Sequence, residues 1–539
     1  MKVSKKIMLY TSCAVLIMSA GCTKKFDAIN TDPTQATAAQ FDPNLLLSST
    51  EVEYFNAIQG YNGGILFQSM WTQTFASAAY PSYYSNGDKY TKGGSFLDYQ
   101  GRLWNHGYNA AGYAYEMQNL VKTNPALSNL SGIGLILELL AIQSVTDTYG
   151  DVPFSQALQA KTNVNLPVYD AQQAIYTSML AKLDSVIPTL DAGKTLPTND
   201  VFSYKGDISK WKKFGYSLML RMAMRLTKAD AATAQKYAEK AYAGGTFASN
   251  ADDASVTFDH SDGYNNNNAS AYQVPEDFSE VKWGKVLIDY LKSTNDPRLP
   301  IVAEVPGAGL DSAAMESAPG NRNPASQQGM PSGYDQNGLA TDISHAPGYP
   351  GTSGTGDDLN KTGLYSRPSI GLYTNLNLPA FALNYAQTEL LLAEAAARGW
   401  NVGASAAVHY ANGVTGALKS YATLSPANGT IPDATIAAYV AAHPLDVSSQ
   451  ANSITQINMQ YWVTAGTLLD FVECWSNWRR SGVPALTPVN YSGSFTNGVI
   501  PRRQAYPTTE ASTNPLNYKA SVTKLGGDDN YATHVWWDK

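Results

Sequence analysis

A chain of 539 residues, 44% hydrophobic and only 15% charged, is long enough to bury a substantial core. Its formal net charge of −7 argues against nucleic acid and anionic lipid headgroups as partners, and its three cysteines rule out a disulfide scaffold. Tyrosine outnumbers phenylalanine 34 to 15, an unusual balance for packing and a useful one for binding neutral ligands, because each ring keeps a polar tip.

The N-terminus reads as an export signal. Lys2, Lys5 and Lys6 precede an apolar run at residues 7–18 and the small residues Ser19, Ala20 and Gly21. This run is too short to span a bilayer, so residues 1–21 are expected to be removed. Cleavage would expose Cys22, and Ala20-Gly21-Cys22 has the form of a bacterial lipobox, whose cysteine is acylated; several acyl chains suffice for stable anchoring. Loss of the three signal lysines takes the net charge from −7 to −10. Cys13 leaves with the signal, so Cys474 remains without a partner and stability must come from the core.

Residues 77–90, SAAYPSYYSNGDKY, are expected to form a loop, since nothing repeats at helical spacing and Pro81 and Asn86-Gly87 are turn signals. Tyr80, Tyr83, Tyr84 and Tyr90 then either cover a neighbouring helix or stand ready to stack on a ligand. Helical periodicity follows at residues 168–190, with Ile175, Met179 and Leu183 on one face. It recurs at 208–226, where Trp211, Phe214, Leu218 and Met222 face inward and Arg221 and Arg225 share another face. Residues 231–245 form a helix stopped by Gly244-Gly245, residues 381–399 one with Glu394 and Arg398 at i, i+4, and residues 404–418 and 454–482 two more. Paired helices separated by short turns suggest stacked, tetratricopeptide-like hairpins.

One stretch departs from this pattern. Between residues 305 and 363, 17 of 59 residues are Gly or Pro, and DGYNNNNASAYQ lies just upstream at 262–273. We therefore expect a single domain over 22–539 with a loop-rich insertion at about 255–375. Asn amides and Tyr rings together suit polyhydroxylated ligands. Catalytic motifs are missing: there is no HExxH, CxxC, G-x-S-x-G or G-x-G-x-x-G, and Pro188 stands where the Gly193-Lys194-Thr195 stretch would need the first glycine of a phosphate loop. Asp147 with Asp151 and Asp470 with Glu473 are carboxylate pairs of the kind glycoside hydrolysis uses, but such pairs are common, and Glu473 reads better as an ion-pair partner of Arg479 and Arg480. Asp252-Asp253 and Asp357-Asp358 lack the further spaced oxygens a calcium site needs. No catalytic residue, cofactor or metal is expected.

Seven strings, in order along residues 22–539, resemble the SusD/RagB family of nutrient-binding outer-membrane lipoproteins, in its SusD-like branch. They are CTKKFDAINTDP, DTYGDVPFSQAL, WKKFGYSLMLRMAMR, LLLAEAAARGW, FVECWSNWRRSGVPAL, IPRRQAYPTTEASTNPLNY and the terminal VWWD. The resemblance implies a mostly α-helical fold of tetratricopeptide-like hairpins supporting an irregular, loop-rich face. It implies a non-enzymatic, cell-surface lipoprotein that captures glycans, or sometimes peptides, for a TonB-dependent SusC-like transporter. The matching strings are mainly scaffold: Gly150 ends a helix, Pro153 redirects the chain, Trp475 and Trp478 pack, and Trp536-Trp537 tie down the C-terminus. On chemistry, the ligand residues are expected to be Tyr80, Tyr83 and Tyr84, with Trp71, Tyr264, Trp283 and Tyr334. A lipid-anchored glycoside hydrolase and a helical scaffold for another protein are the alternatives.

Overall fold

The computed structural model describes residues 41–80, 83–311, 318–352 and 358–539; Cys22, the signal region and Asp357 lie outside the described residues. From Asn44 onward the chain forms one compact unit. It is mostly helical, as expected. The first three long helices are α1 (Leu45–Ile58), α2 (Arg102–Val121) and α3 (Ser128–Tyr149). α2 and α3 pack along their length as a hairpin, and α3 stops at Gly150, whose φ of +89° is a conformation glycine adopts without strain. α3 is long and apolar enough to cross a membrane, but 67% of its most apolar window is buried inside the protein, so it is the central core helix.

α4 (Gln172–Val186) buries Ile175, Met179 and Leu183. α5 (Ile208–Arg225) starts on Asp207, which accepts from Ser209 N, and turns Trp211, Phe214, Leu218 and Met222 inward. α6 (Ala231–Gly244) packs back on α5 and ends at Gly245, φ +97°. α7 (Tyr385–Ala397) and α8 (Ala406–Leu424) form the next hairpin. Its helices approach closely because α8 carries Gly413, where an added Cβ would sit 2.8 Å from Leu390 Cγ. α9 (Gln450–Thr467) and α10 (Phe471–Ser481) complete the framework.

Among the boundaries that differ from the periodic reading, capping accounts for two. The single helix expected over 454–482 divides because Leu469 takes a φ of +62° and the Asp470 side chain caps α10. The helix expected from residue 381 begins at Tyr385, because Ala380–Leu383 pairs as a strand with Ala254–Val256 and Asn384 then caps α7.

The Gly/Pro-rich insertion is less irregular than its composition suggests. Short helices at Asn267–Tyr272, Pro275–Glu280, Lys285–Ser293 and Ile370–Tyr373 punctuate it. Two-residue strand pairs, Phe75–Ala76 with Lys282–Trp283 and Ala303–Glu304 with Arg367–Pro368, knit it together and tie it to the helical framework. It also owns a small separate core of Ala76, Ala78, Met330, Ile343, Ala346 and Tyr365.

Buried ion pairs lock the helices in register, with partners the sequence did not reveal. Arg225 binds both Glu473 and Asp147. Arg480 grips Glu394 through two bonds of 2.7 Å. Glu473, expected to pair with Arg479 and Arg480, pairs with Arg225 and Arg221 instead, and the Arg479 guanidinium lies 3.5 Å over the Trp475 ring and donates to Arg502 O. Trp537 is fully buried, its Nε1 donating to Asp147 Oδ1 at 2.9 Å, so the C-terminus is held as expected.

Candidate functional site

The expected tyrosine loop folds in part as a short helix, Tyr83–Lys89. Asn86-Gly87, read as a turn, serves contact instead. A Cβ on Gly87 would lie 2.1 Å from the Leu66 carbonyl oxygen, so only glycine lets this helix approach. The Asn86 side chain brackets Gly93, accepting from its N at 2.8 Å and donating to its O at 2.7 Å.

This helix sorts the four tyrosines. Tyr84 and Tyr90 are fully buried, whereas Tyr80 is 75% exposed and Tyr83 42% exposed. Tyr84 therefore belongs to the core and is corrected as a ligand residue. The same holds for Trp71 and Trp283, both at 0% exposure. Trp71 sits 5.0 Å from the Trp475 ring. Trp283 lies in a strand pair opposite Phe75, 4.5 Å ring to ring, with its Nε1 donating to Val302 O. Both segments are short elements pushed beneath the face, which local sequence cannot signal.

Tyr80 and Tyr83 stand on a braced base. Lys89 is buried and donates to Ser77 O at 2.7 Å, tying the helix back to the strand region before it. Asp88, also buried, accepts from Gly333 N at 2.8 Å, which fixes the next residue, Tyr334, relative to the tyrosine helix. Burial raises the Asp88 carboxyl and lowers the Lys89 ammonium, and each opposes the other's shift. Half-buried Tyr334 lines a groove of about 520 Å³ with Gln73, Lys285, Asp289, Thr341 and Asn490. Beside it the Tyr491 hydroxyl donates to Asp335 at 2.7 Å; burial, that bond and the nearby Asp335 and Tyr80 charges push it up to about 12. Tyr80, Tyr334 and Tyr491 thus gather at one place from three distant segments.

On the other flank Tyr83 meets Tyr99 at 5.7 Å and Tyr61 edge-on at 6.3 Å. The Arg102 guanidinium lies 4.1 Å over the Tyr99 ring, and Tyr61 hydrogen-bonds Asp277. Tyr61, Tyr99 and Tyr491 are absent from the sequence-derived ligand residues; only the fold brings Tyr61 and Tyr99 to Tyr83 and Tyr491 to Tyr80.

Tyr264 is 56% exposed but faces a different cleft, with Tyr113. The asparagines after it are largely scaffold: Asn266 caps Asn267–Tyr272, Asn267 donates to Asn56, and Asn268 accepts from Gly60 N at 2.8 Å. The carboxylate pairs are also structural. Asp147, Asp470 and Glu473 surround a cavity of about 10 Å³ with Arg221, too small for a sugar ring, and Asp151 caps α4 through Gln172 N. Asp252 pairs with Lys213 and Asp253 accepts from Tyr385 N; burial raises Asp253 to about 7. Among the described residues no group of three or more His, Cys, Asp or Glu is placed to hold a metal.

A family model described as SusD-like, starch-binding and associating with the outer membrane matches residues 33–507. No curated protein matches the chain significantly in sequence. Among solved structures, the chain is similar to a chitin-binding protein at 28% identity and a TM-score of 0.77, over 92% of this chain and 100% of that one. It is similar to a chitin-binding SusD homolog from Flavobacterium johnsoniae at 23% identity and a TM-score of 0.71, over 92% and 98%. A SusD homolog from Bacteroides uniformis gives 22% identity and a TM-score of 0.70, over 94% and 100%. At these last two identities the likeness speaks for the fold.

Proposed function

The chain belongs to the SusD-like family of starch-binding proteins that associate with the outer membrane, and from that premise we propose that it is a lipoprotein that captures a neutral glycan on its tyrosine face. The observation that carries this reading is the pair of exposed rings, Tyr80 and Tyr83, held over a buried Asp88–Lys89 pair, with Tyr80 on the flank of Tyr491 and the 520 Å³ groove and Tyr83 on the flank of Tyr61 and Tyr99. Rings so held can stack on the C–H face of a sugar while their hydroxyls and the groove's Gln73, Asn490 and Thr341 meet its rim. The family's starch and the 28% identical relative's chitin are both uncharged polymers, and a groove whose one lysine, Lys285, is paired with Asp289 suits such a ligand.

Calorimetry of residues 22–539, produced without the lipid, against malto- and chito-oligosaccharides tests the reading. Replacing Tyr80 or Tyr83 by Ala should weaken binding of whichever oligosaccharide is captured by roughly 1–2 kcal/mol, about ten-fold, with little change in unfolding. Failure of the wild type to bind any oligosaccharide would abandon the glycan reading in favour of a protein-binding scaffold.

Delivery follows from the same premise. Anchoring through Cys22 would hold the protein at the cell surface over a TonB-dependent SusC-like transporter, to which it passes the glycan. Cys22→Ala should release the protein into the soluble fraction, because lipid is the anchor proposed; a variant that still pellets with outer membranes after a high-salt wash would refute it. Co-purification of a barrel protein with the wild type from native membranes would support the transporter.

A further inference from the structure

The cleft that holds Tyr264 lies apart from the Tyr334 groove and is linked along α2 to the Tyr61–Tyr83–Tyr99 cluster. Its floor is one face of α1, where Ser49, Val52, Glu53 and Asn56 recur at helical spacing, and Tyr113 of α2 and Tyr264 line it. Both rings are large and unusually open, at 41% and 56% exposure, and the volume between the walls is about 480 Å³. Three carboxylates, Glu53, Asp259 and Asp262, line it, and among the described lining residues there is no lysine or arginine.

The track between this cleft and the Tyr61–Tyr83–Tyr99 cluster is drawn by α2. Arg102, His106, Asn109 and Tyr113 fall at i, i+4, i+7 and i+11, on one stripe of that helix. Arg102 stacks on Tyr99 and reaches Asn62, while His106 and Asn109 both bind Glu53. At 1.5 Å rise per residue, Arg102 to Tyr113 is about 16 Å, a span that several linked sugar rings can bridge. Glu53 is held rigid by these bonds and by Asn56 Nδ2 at 2.9 Å; burial alone would raise it, but the bonds outweigh burial and keep it charged.

We infer that the cleft between Tyr113 and Tyr264 is a second subsite for the same chain, taking a non-acidic sugar ring and rejecting uronic acids. This rests on the glycan reading above and extends it. The two rings supply apolar contact to a sugar face. Glu53, Asp259 and Asp262 accept hydrogen bonds from hydroxyl or amine groups, and their charge repels a carboxylate brought beside them.

The test compares chitohexaose, maltohexaose and hexagalacturonate binding by wild type, Tyr113→Ala/Tyr264→Ala and Asp262→Asn. Melting curves establish that each variant is folded; both tyrosines are exposed, so little change is expected. The double variant should bind the neutral hexasaccharide about ten-fold more weakly or worse. Hexagalacturonate should bind wild type more weakly than the neutral hexamers, and Asp262→Asn should narrow that gap. A double variant within two-fold of wild type for the neutral hexamer would overturn the subsite while leaving the glycan reading intact. Absence of binding by the wild type itself would overturn both, and tighter binding of hexagalacturonate than of the neutral hexamers would overturn the charge selection.

Discussion

Glu394→Ala should destabilise the protein by about 3–5 kcal/mol, measured as a lowered midpoint of chemical denaturation, because it breaks a buried ion pair from one side. Glu394 is 1% exposed and receives Arg480 Nη1 and Nη2, Arg398 Nη2 and Asn458 Nδ2. Its removal strands the Arg480 guanidinium, also 1% exposed, beside a second arginine. The i, i+4 partner visible in the sequence, Arg398, would by itself justify only a few tenths of a kcal/mol. The pH dependence identifies the cause. Burial would raise the Glu394 carboxyl, but Arg480 and Arg398 outweigh it and hold it at about 2, against an ordinary value of 4.5. A carboxyl lowered on folding stabilises fully above about 4.5 and loses that contribution as pH falls toward 2. The stability gap between wild type and Glu394→Gln should therefore be widest at pH 7 and shrink by pH 3. Asp253 and Asp470, raised by burial to about 7 and about 6, work in the opposite sense, losing stability as pH rises, but both proteins carry them and the comparison cancels them. A gap that does not change with pH would show that Glu394 acts through packing alone.

Trp283→Ala should be as damaging, about 3–5 kcal/mol. The indole is fully buried against Phe75 and Tyr373, so truncation opens a cavity and removes one of the two hydrogen bonds the Val302 carbonyl accepts, leaving that from Ser369 N. Trp283→Phe, which keeps most of the apolar volume, should cost less, about 1–3 kcal/mol, chiefly for the lost bond. Glycan affinity measured below the unfolding transition should be unchanged in both. Calorimetry and denaturation on the same samples decide it: an affinity loss with an unmoved midpoint would return Trp283 to the binding face.

These two residues mark where local sequence stops informing. The helices of the framework were legible because burial repeats every three to four residues, as Ile175, Met179 and Leu183 do on α4. The family, too, was legible, since its strings are framework strings. What was not legible is partner choice across long separations. Arg480 and Glu394 are 86 residues apart, and Trp537 and Asp147 are 390 apart, so no spacing rule connects them. At the binding face the difficulty is sharper. Tyr80, Tyr83 and Tyr84 are nearly adjacent and chemically alike, yet Tyr84 points into the core and Tyr80 into solvent. What separates them is the short helix begun at Tyr83 and seated by Gly87, a residue of the Asn86-Gly87 pair that local rules read as turn.

The Trp537 hydrogen bond carries a kinetic consequence. Asp147, Arg225 and Arg479 lie far apart in the sequence, and the indole that sits against all three belongs to residue 537. A polypeptide emerging N-terminus first cannot close that centre until residue 537 is free, and contacts of such sequence separation form slowly. Closure of the centre that joins α3, α5 and α10 is therefore a late event of folding.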